Sequence, residues 1–319
     1  MDSKPTKPKS KIEASDKAVH GITQSMLEHV GGVAKSCGAT AVFVYADALQ
    51  GEPVSFLAVP DARVYYVTKE VSPEKVENES MVQFLRVPNV PMTRIGQVKI
   101  TAFLALSKGL VARGDRVCFV TGVEGSGNLD TIIVTEVGRE FELLSTLEDS
   151  SPIPVNIKPA VIERVVDLAS EIGKEGREGK HVGTIFVVGD SKRVLPLTRQ
   201  LILNPFKGYP DTQRNILDHS FEETLKELAT LDGAFIVRGD GVVESCGTYL
   251  KTASQEEFEL PRGLGARHQA AAAITAVTDT IAVTVSQSTG TVTIFRGGAI
   301  ITEIQKPRSS SLRSKPGSG

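Results

Sequence analysis

The sequence predicts an α/β protein made of two structural units. The chain has 319 residues, which is long for one domain and suits two. Strand-like and helix-like segments alternate along most of it, the pattern of an α/β layer. Prolines at positions 152, 154 and 159 interrupt the alternation once and predict a linker there.

Charge and composition exclude several classes. Lys and Arg number 36 against 38 Asp and Glu, a net charge of −2 that lacks the positive footprint of a nucleic-acid binder. No apolar run reaches 18 residues, so no membrane span or membrane partner is expected. The first 17 residues lack the apolar stretch of a signal peptide, so the expected location is cytoplasmic. Three cysteines without a CxxC pair predict free thiols.

In the first unit, apolar spacing predicts two helices and several strands. The helices are expected over residues 20–37 and 98–111, the strands over 40–45, 63–67, 116–121 and 131–137, and a weaker strand over 56–59.

In the second unit, helices are expected over residues 157–172, 217–228 and 267–277. Strands are expected over 184–188, 234–237, 241–245, 281–286, 291–295 and 299–304. Short glycine-containing turns join the last three strands, which predicts an antiparallel meander closing the sheet.

These patterns divide the chain into five parts. Residues 1–17 and 306–319 are rich in Lys, Ser and Pro and are expected to be disordered tails. The first α/β domain is expected over 18–148, the linker over 149–158, and a mixed-sheet α/β domain over 159–305.

Motifs of the commonest enzyme classes are missing from the sequence. It contains no GxxxxGK[ST] phosphate loop, no GxGxxG after a strand, no HExxH and no GxSxG. The five histidines show no spacing typical of metal ligands.

Two short segments of the second unit stand out. Asp232-Gly-Ala lies where a helix leads into a strand, and a carboxylate beside glycine there can approach a ligand or a metal; a plain turn is the alternative. Residues 261–269 (PRGLGARHQ) form a glycine-containing loop that leads into a helix. The helix dipole disfavours a cation at this end, so Arg267 suggests a bound polyphosphate. Alternatively, Arg267 pairs with an acid and His268 is a packed core residue.

Together, Asp232-Gly-Ala, Gly-Leu-Gly-Ala-Arg267-His268-Gln269 and the segment 285–290 (VSQSTG) resemble the DisA-type diadenylate cyclase domain, which carries DGA and RHR motifs. The resemblance spans about residues 155–305. The first half, through residues 109–122 and 128–131, is similar to the C-terminal domain of pyruvate kinase, over about residues 20–145. The two-part architecture is similar to the archaeal diadenylate cyclases called DacZ.

The resemblance implies condensation of two ATP molecules into cyclic di-AMP and two pyrophosphates. It implies that Asp232, Arg267 and His268 are catalytic, and that Asp232 holds a divalent cation, Mn²⁺ in the first place and Mg²⁺ or Co²⁺ as alternatives. Substrate contacts are expected from residues at both motifs and in the segment 285–290: Gly233, Ala234, Gly263, Leu264, Gly265, Ala266, Gln269 and Ser286. Tyr249 and Leu250 are the candidates for the adenine face, and plain core is the alternative for both.

Each chain carries one such set, enough for one ATP, so a homodimer or higher homo-oligomer with face-to-face cyclase domains is expected. The sequence departs from the family pattern at two positions: Gln269 stands at the third RHR position, and Gln287 stands where many relatives carry Glu. These departures leave a nucleotide sensor without catalysis as the second hypothesis. A third is a binding module whose loop at 122–131 takes a phosphorylated effector.

Overall fold

The computed structural model describes residues 10–49, 57–70, 83–138, 154–251 and 264–304, with side chains from residue 21 onward. It is a mixed α/β structure with two mixed sheets. Its helices are α1 Ser10–Cys37, α2 Arg94–Ser107, α3 Pro159–Glu175, α4 Ser191–Val194, α5 Glu222–Leu228 and α6 Ala266–Val277. Its strands are β1 Ala41–Tyr45, β2 Arg63–Thr68, β3 Gln83–Arg86, β4 Arg116–Thr121, β5 Thr131–Glu136, β6 Thr184–Gly189, β7 Thr198–Gln200, β8 Ala234–Val237, β9 Val243–Leu250, β10 Thr280–Val285, β11 Val292–Arg296 and β12 Ala299–Ile304.

The first sheet has the order β3-β2-β1-β4-β5, with β5 antiparallel and the other pairs parallel. Its central strand β1 is buried along its whole length because helices cover both faces. Phe43 lies on the α2 face and stacks between Tyr65 and Phe119, with ring centroids 5.2 and 5.1 Å apart. Residues of α1, including Val30, pack on the opposite face.

The second sheet has the order β12-β11-β10-β6-β8-β9-β7. Only β6 and β8 pair in parallel among its strands in the described residues; the other pairs are antiparallel. The meander expected at β10, β11 and β12 is confirmed. Helix α3 packs on one face of this sheet and α6 on the other, so both faces of β10 are covered.

The two units contact each other through α2, which packs against α3 and β12. Among the described residues, two ion pairs cross this contact: Arg86 with Asp167 at 3.3 Å and Lys108 with Glu163 at 2.9 Å. Asp167 is buried, and burial raises its pKa to about 6, against the opposing effect of Arg86.

The structure differs from the sequence expectations at several elements. The described part of helix α1 starts at Ser10, so residues 10–17 of the segment expected to be a tail are helical. Residues 57–59 form no strand, and Phe56 lies outside the described residues. The helix expected over 217–228 begins only at Glu222, because Asp218 caps a short 3-10 turn first. Strands β3 and β7 were not predicted.

Residues 149–153 of the expected linker and the whole expected C-terminal tail lie outside the described residues. Within the described part of the chain, no helix combines the length and apolarity required to cross a bilayer.

Candidate active site

A cavity of about 700 Å³ opens at one end of the central strands of the second sheet, where β8 begins, β10 ends and α6 starts. It brings together residues that are far apart in the sequence, from the two singled-out segments and from the loop after β10. Its lining includes Asp232, Leu264, Gly265, Ala266, Arg267, His268, Ser286 and Gln287. The segments that the sequence analysis selected therefore meet at one opening.

Gly233 determines where Asp232 is placed. Its φ of +107° lies in the region that favours glycine, and a Cβ there would come within 2.5 Å of the backbone nitrogen of Thr248 on β9. The close approach of the two strands therefore requires glycine. The side chain of Asp232, the residue before Gly233, lines the cavity with 85% of its surface exposed.

Arg267 in the first turn of α6 is held by two long contacts. Its Nη2 lies 3.4 Å from Oδ1 of Asp232, and its Nη1 donates to Oε1 of Gln287 at 3.3 Å. A Cβ at Gly183 would come within 2.9 Å of the Arg267 Nη1, so that glycine leaves room for the guanidinium. Because Asp232 is mostly exposed, the ion pair is weak and can yield to a substrate.

His268 is buried beside the cavity. Its ring meets Phe295 edge-on at 5.9 Å, and its Nε2 lies 3.5 Å from Oγ1 of Thr293. Burial lowers its pKa; Arg267 lowers it further, and Glu303 opposes both. The ring is therefore neutral at pH 7 in the chain alone. It both lines the cavity and packs in the core, so the two interpretations of this histidine are compatible.

The start of α6 and the loop after β10 form the polar wall of the cavity. Gly265 is the N-cap of α6, and no side chain of the described residues caps the positive end of this helix, which can therefore bind an anionic group. In the loop, Ser286 Oγ lies 3.2 Å from Ser288 Oγ and accepts from the backbone N–H of Thr289 at 3.4 Å. Such a wall suits phosphate oxygens.

Other residues selected from the sequence lie outside this lining. Tyr249 on β9 is about half exposed, with the Arg199 guanidinium 5.5 Å above its ring, whereas Leu250 is buried in the core of the second sheet. Ala234 is buried in β8, Gln269 is half-buried in α6, and Gly263 lies outside the described residues. Contacts of these residues with a nucleotide stay predictions.

Sequence reasoning missed several residues of the cavity, above all the carboxylate Glu303 on β12. The register places Glu303 opposite Thr293, which also lines the cavity. The missed hydroxyl-bearing residues are Ser288, Thr289, Thr291 and Thr293. The hydroxyl-rich run 286–293 could have indicated these four residues from the sequence, whereas the place of Glu303 follows only from the pairing of β11 and β12.

A family model described as DisA bacterial checkpoint controller nucleotide-binding matches residues 171–300. A diadenylate cyclase of Haloferax volcanii is 34% identical over 241 residues, covering 74% of this chain and 84% of its own length. The chain belongs to the diadenylate cyclase family. A second relative of that name, from Methanocaldococcus jannaschii, is 40% identical over 215 residues, covering 65% of this chain and 65% of that relative.

A solved structure of a double mutant of DacA from Staphylococcus aureus is similar at a TM-score of 0.31 and 21% identity, covering 44% of this chain and 83% of that one. The family model begins at residue 171, so the pyruvate-kinase resemblance of the first half stays a prediction.

The described residues contain no group of three His, Cys, Asp or Glu side chains placed to hold a metal ion. At the cavity mouth, Asp232 supplies an exposed carboxylate. That donor set fits a hard divalent cation that is bound together with nucleotide phosphates, as Mg²⁺ commonly is, better than a cation enclosed by protein ligands alone.

Proposed function

We propose that this chain condenses two ATP molecules into cyclic di-AMP with release of two pyrophosphates. The observation that carries the proposal is the shared cavity, where Asp232 and Arg267 meet the start of α6 and the loop containing Ser286. Family membership supports the same reaction.

In this reaction each ribose 3′-hydroxyl oxygen bonds to the α-phosphorus of the other ATP. The bond from that phosphorus to the pyrophosphate oxygen breaks, its electron pair leaves with pyrophosphate, and the hydroxyl proton passes to water. A divalent cation, with Mn²⁺ expected first, would supply charge neutralisation and would lower the pKa of the hydroxyl. Asp232 would hold it and orient the hydroxyl, because this exposed carboxylate lies at the mouth of the cavity.

Arg267 and the start of α6 would bind the triphosphate. Both present positive charge on the same wall, and Ser286 adds a hydroxyl donor there. As pyrophosphate leaves, these groups would stabilise its developing charge. A neutral His268 would donate one ring N–H to the phosphates or to the Arg267 segment, and its burial would fix its orientation.

A single cavity does not complete the reaction, since the product joins two nucleotides by two equivalent bonds. A two-fold pair of cyclase domains, each presenting one ATP, would satisfy this requirement with the same residues used twice. The exposure of Asp232 supports this arrangement, because its carboxylate is accessible to a nucleotide held by a second chain.

A nucleotide sensor without catalysis is the second candidate function. It is favoured by Gln287, which accepts from Arg267 in place of a carboxylate. The deciding test is incubation of purified protein with ATP and Mn²⁺ or Mg²⁺, followed by mass spectrometry. Cyclic di-AMP formed over many turnovers supports the cyclase; ATP that is bound and recovered unchanged supports the sensor.

A further inference from the structure

The first sheet contains a group of buried polar atoms that the cyclase reaction does not use. Five buried side-chain oxygens there have no hydrogen-bond partner among the residues that the structure describes. We call this group the first-sheet polar cluster. It consists of the hydroxyls of Tyr45, Thr101 and Thr121, Oε1 of Gln97 and Oε2 of Glu124. Buried polar atoms are nearly always hydrogen-bonded, so five unpartnered oxygens in one unit need an explanation.

The fold places these residues at one end of the sheet. Tyr45 ends β1 and Thr121 ends β4, the neighbouring parallel strand. Gln97 on α2 donates from Nε2 to the carbonyl oxygen of Gly122 at 3.0 Å, and Thr101 follows one helical turn later. Glu124, just beyond β4, forms an ion pair through its other oxygen with Lys69 at the end of β2.

This end of the sheet is also where the strand order reverses. From β1 the chain proceeds to β2 on one side and later to β4 on the other. Open sheets with parallel strands bind ligands at the carboxyl ends of the strands at such a switch point. The cluster therefore occupies the position where this architecture most often binds a ligand.

The charged groups at this end of the first sheet determine which kind of ligand fits. Asp47 accepts hydrogen bonds from Oγ1 of Thr68 at 2.9 Å and from the backbone N–H of Lys69 at 2.7 Å. Asp47 and Glu124 against Lys69 leave one negative charge, and the neighbouring Arg94 and Asp130 neutralise each other. The unpartnered oxygens of Gln97 and Glu124 only accept hydrogen bonds. The missing partner therefore carries positive charge or donors, which disfavours a phosphorylated effector.

We propose that the first-sheet polar cluster binds a small monovalent cation, either a metal ion or an ammonium ion. Hard cations prefer oxygen ligands, and the cluster offers only oxygens. Hydroxyl and amide oxygens with one unpartnered carboxylate oxygen match a single positive charge. A divalent or transition-metal site would call for more charged ligands, and the described residues hold no such group of three.

Thermal unfolding of the full chain tests this proposal. The salts are KCl, NaCl and NH4Cl, each compared with choline chloride at equal ionic strength, because choline is too large to enter a buried cluster. We expect at least one small cation to raise Tm saturably, by about 5 °C. A response to K⁺ or Na⁺ alone identifies a metal ion, and a response to NH4⁺ alone identifies an ammonium ion.

Glu124→Gln should abolish the Tm shift. Tyr45→Phe removes a single oxygen and should lower the cation affinity several-fold, so that a higher salt concentration is needed for the same shift. Tyr45→Phe keeps the test usable if Glu124→Gln does not fold by circular dichroism. Glu28→Gln, on the exposed face of α1, is the matched control and should keep the full shift.

Equal Tm values in all four chlorides would overturn the proposal. So would a shift that Glu124→Gln leaves intact. The readout is binding in the first sheet, so it is independent of whether the chain makes cyclic di-AMP.

Discussion

Both sheets have carboxylates at one end of their strands, but the two sets of carboxylates differ in their partners and exposure. At the first sheet, Asp47 is held by Thr68 and Lys69, and Glu124 is paired with Lys69. At the second sheet, Asp232 is mostly exposed and has one long contact with Arg267. The contrast separates two kinds of site: the first holds its partly buried carboxylates in hydrogen bonds and an ion pair, while the second leaves its carboxylate available for an incoming substrate.

The largest effect is expected at the exposed carboxylate. Asp232→Asn keeps the side-chain volume and removes the charge, so cyclic di-AMP synthesis should fall more than tenfold while the fold and much of the ATP affinity remain. Mass spectrometry of the product and calorimetric ATP binding measure the two effects. Asp218→Asn, an exposed cap that asparagine also serves, should leave both unchanged. Turnover above a tenth of the wild-type value in Asp232→Asn would remove Asp232 from its proposed role.

Arg267→Ala should weaken ATP binding by about 10- to 100-fold, since a hydrogen bond to a charged group contributes about 1.5–3 kcal/mol. Gln269→Arg restores the family's cation and should be tolerated. Titration calorimetry with ATP measures both, with the exposed Arg193→Ala as the control. Unchanged affinity in Arg267→Ala would show that the start of α6 is not the phosphate site.

Two glycines near the second-sheet cavity should respond differently to alanine. Gly233→Ala meets the backbone of β9 at a positive φ and should lower the free energy of unfolding by about 2–4 kcal/mol. Gly265→Ala has open space around the new methyl and a negative φ, so it should change stability little. Urea unfolding of both variants decides; equal losses would contradict the proposed reason for Gly233.

A dependence of stability on pH is expected at the contact between the two units. The pKa of Asp167 in the folded state, about 6, lies above its ordinary value of 3.8. The folded state therefore binds its proton more tightly, and stability falls as the pH rises from about 4 through 6, by up to about 3 kcal/mol. Asp167→Asn should flatten this part of the pH profile of urea unfolding. An identical profile in the variant would place the titration elsewhere.

Much of the fold could be predicted from the sequence because local residue patterns determine its central strands and its turns. Continuous apolar runs predicted β1, β4 and β6, and glycine turns predicted the meander of β10, β11 and β12. The edge strands β3 and β7 are four and three residues long, too short to show a periodicity.

The candidate site likewise contains residues that the sequence could predict and residues that it could not. The motif segments that contain Asp232 and Arg267 were visible as residues, and the cavity does bring them together. Glu303 and the first-sheet polar cluster were not visible, because their positions depend on strand register and on which neighbours remain unpaired.

Mixing wild-type chains with Asp232→Asn chains tests the paired cyclase site most directly. At equal amounts, after subunit exchange verified by native mass spectrometry, about one quarter of the dimers contain two intact chains. If each product requires both cavities, cyclic di-AMP synthesis per total chain should be about one quarter of the all-wild-type rate. A rate of about one half would mean that each chain completes the reaction alone, and it would contradict the paired site.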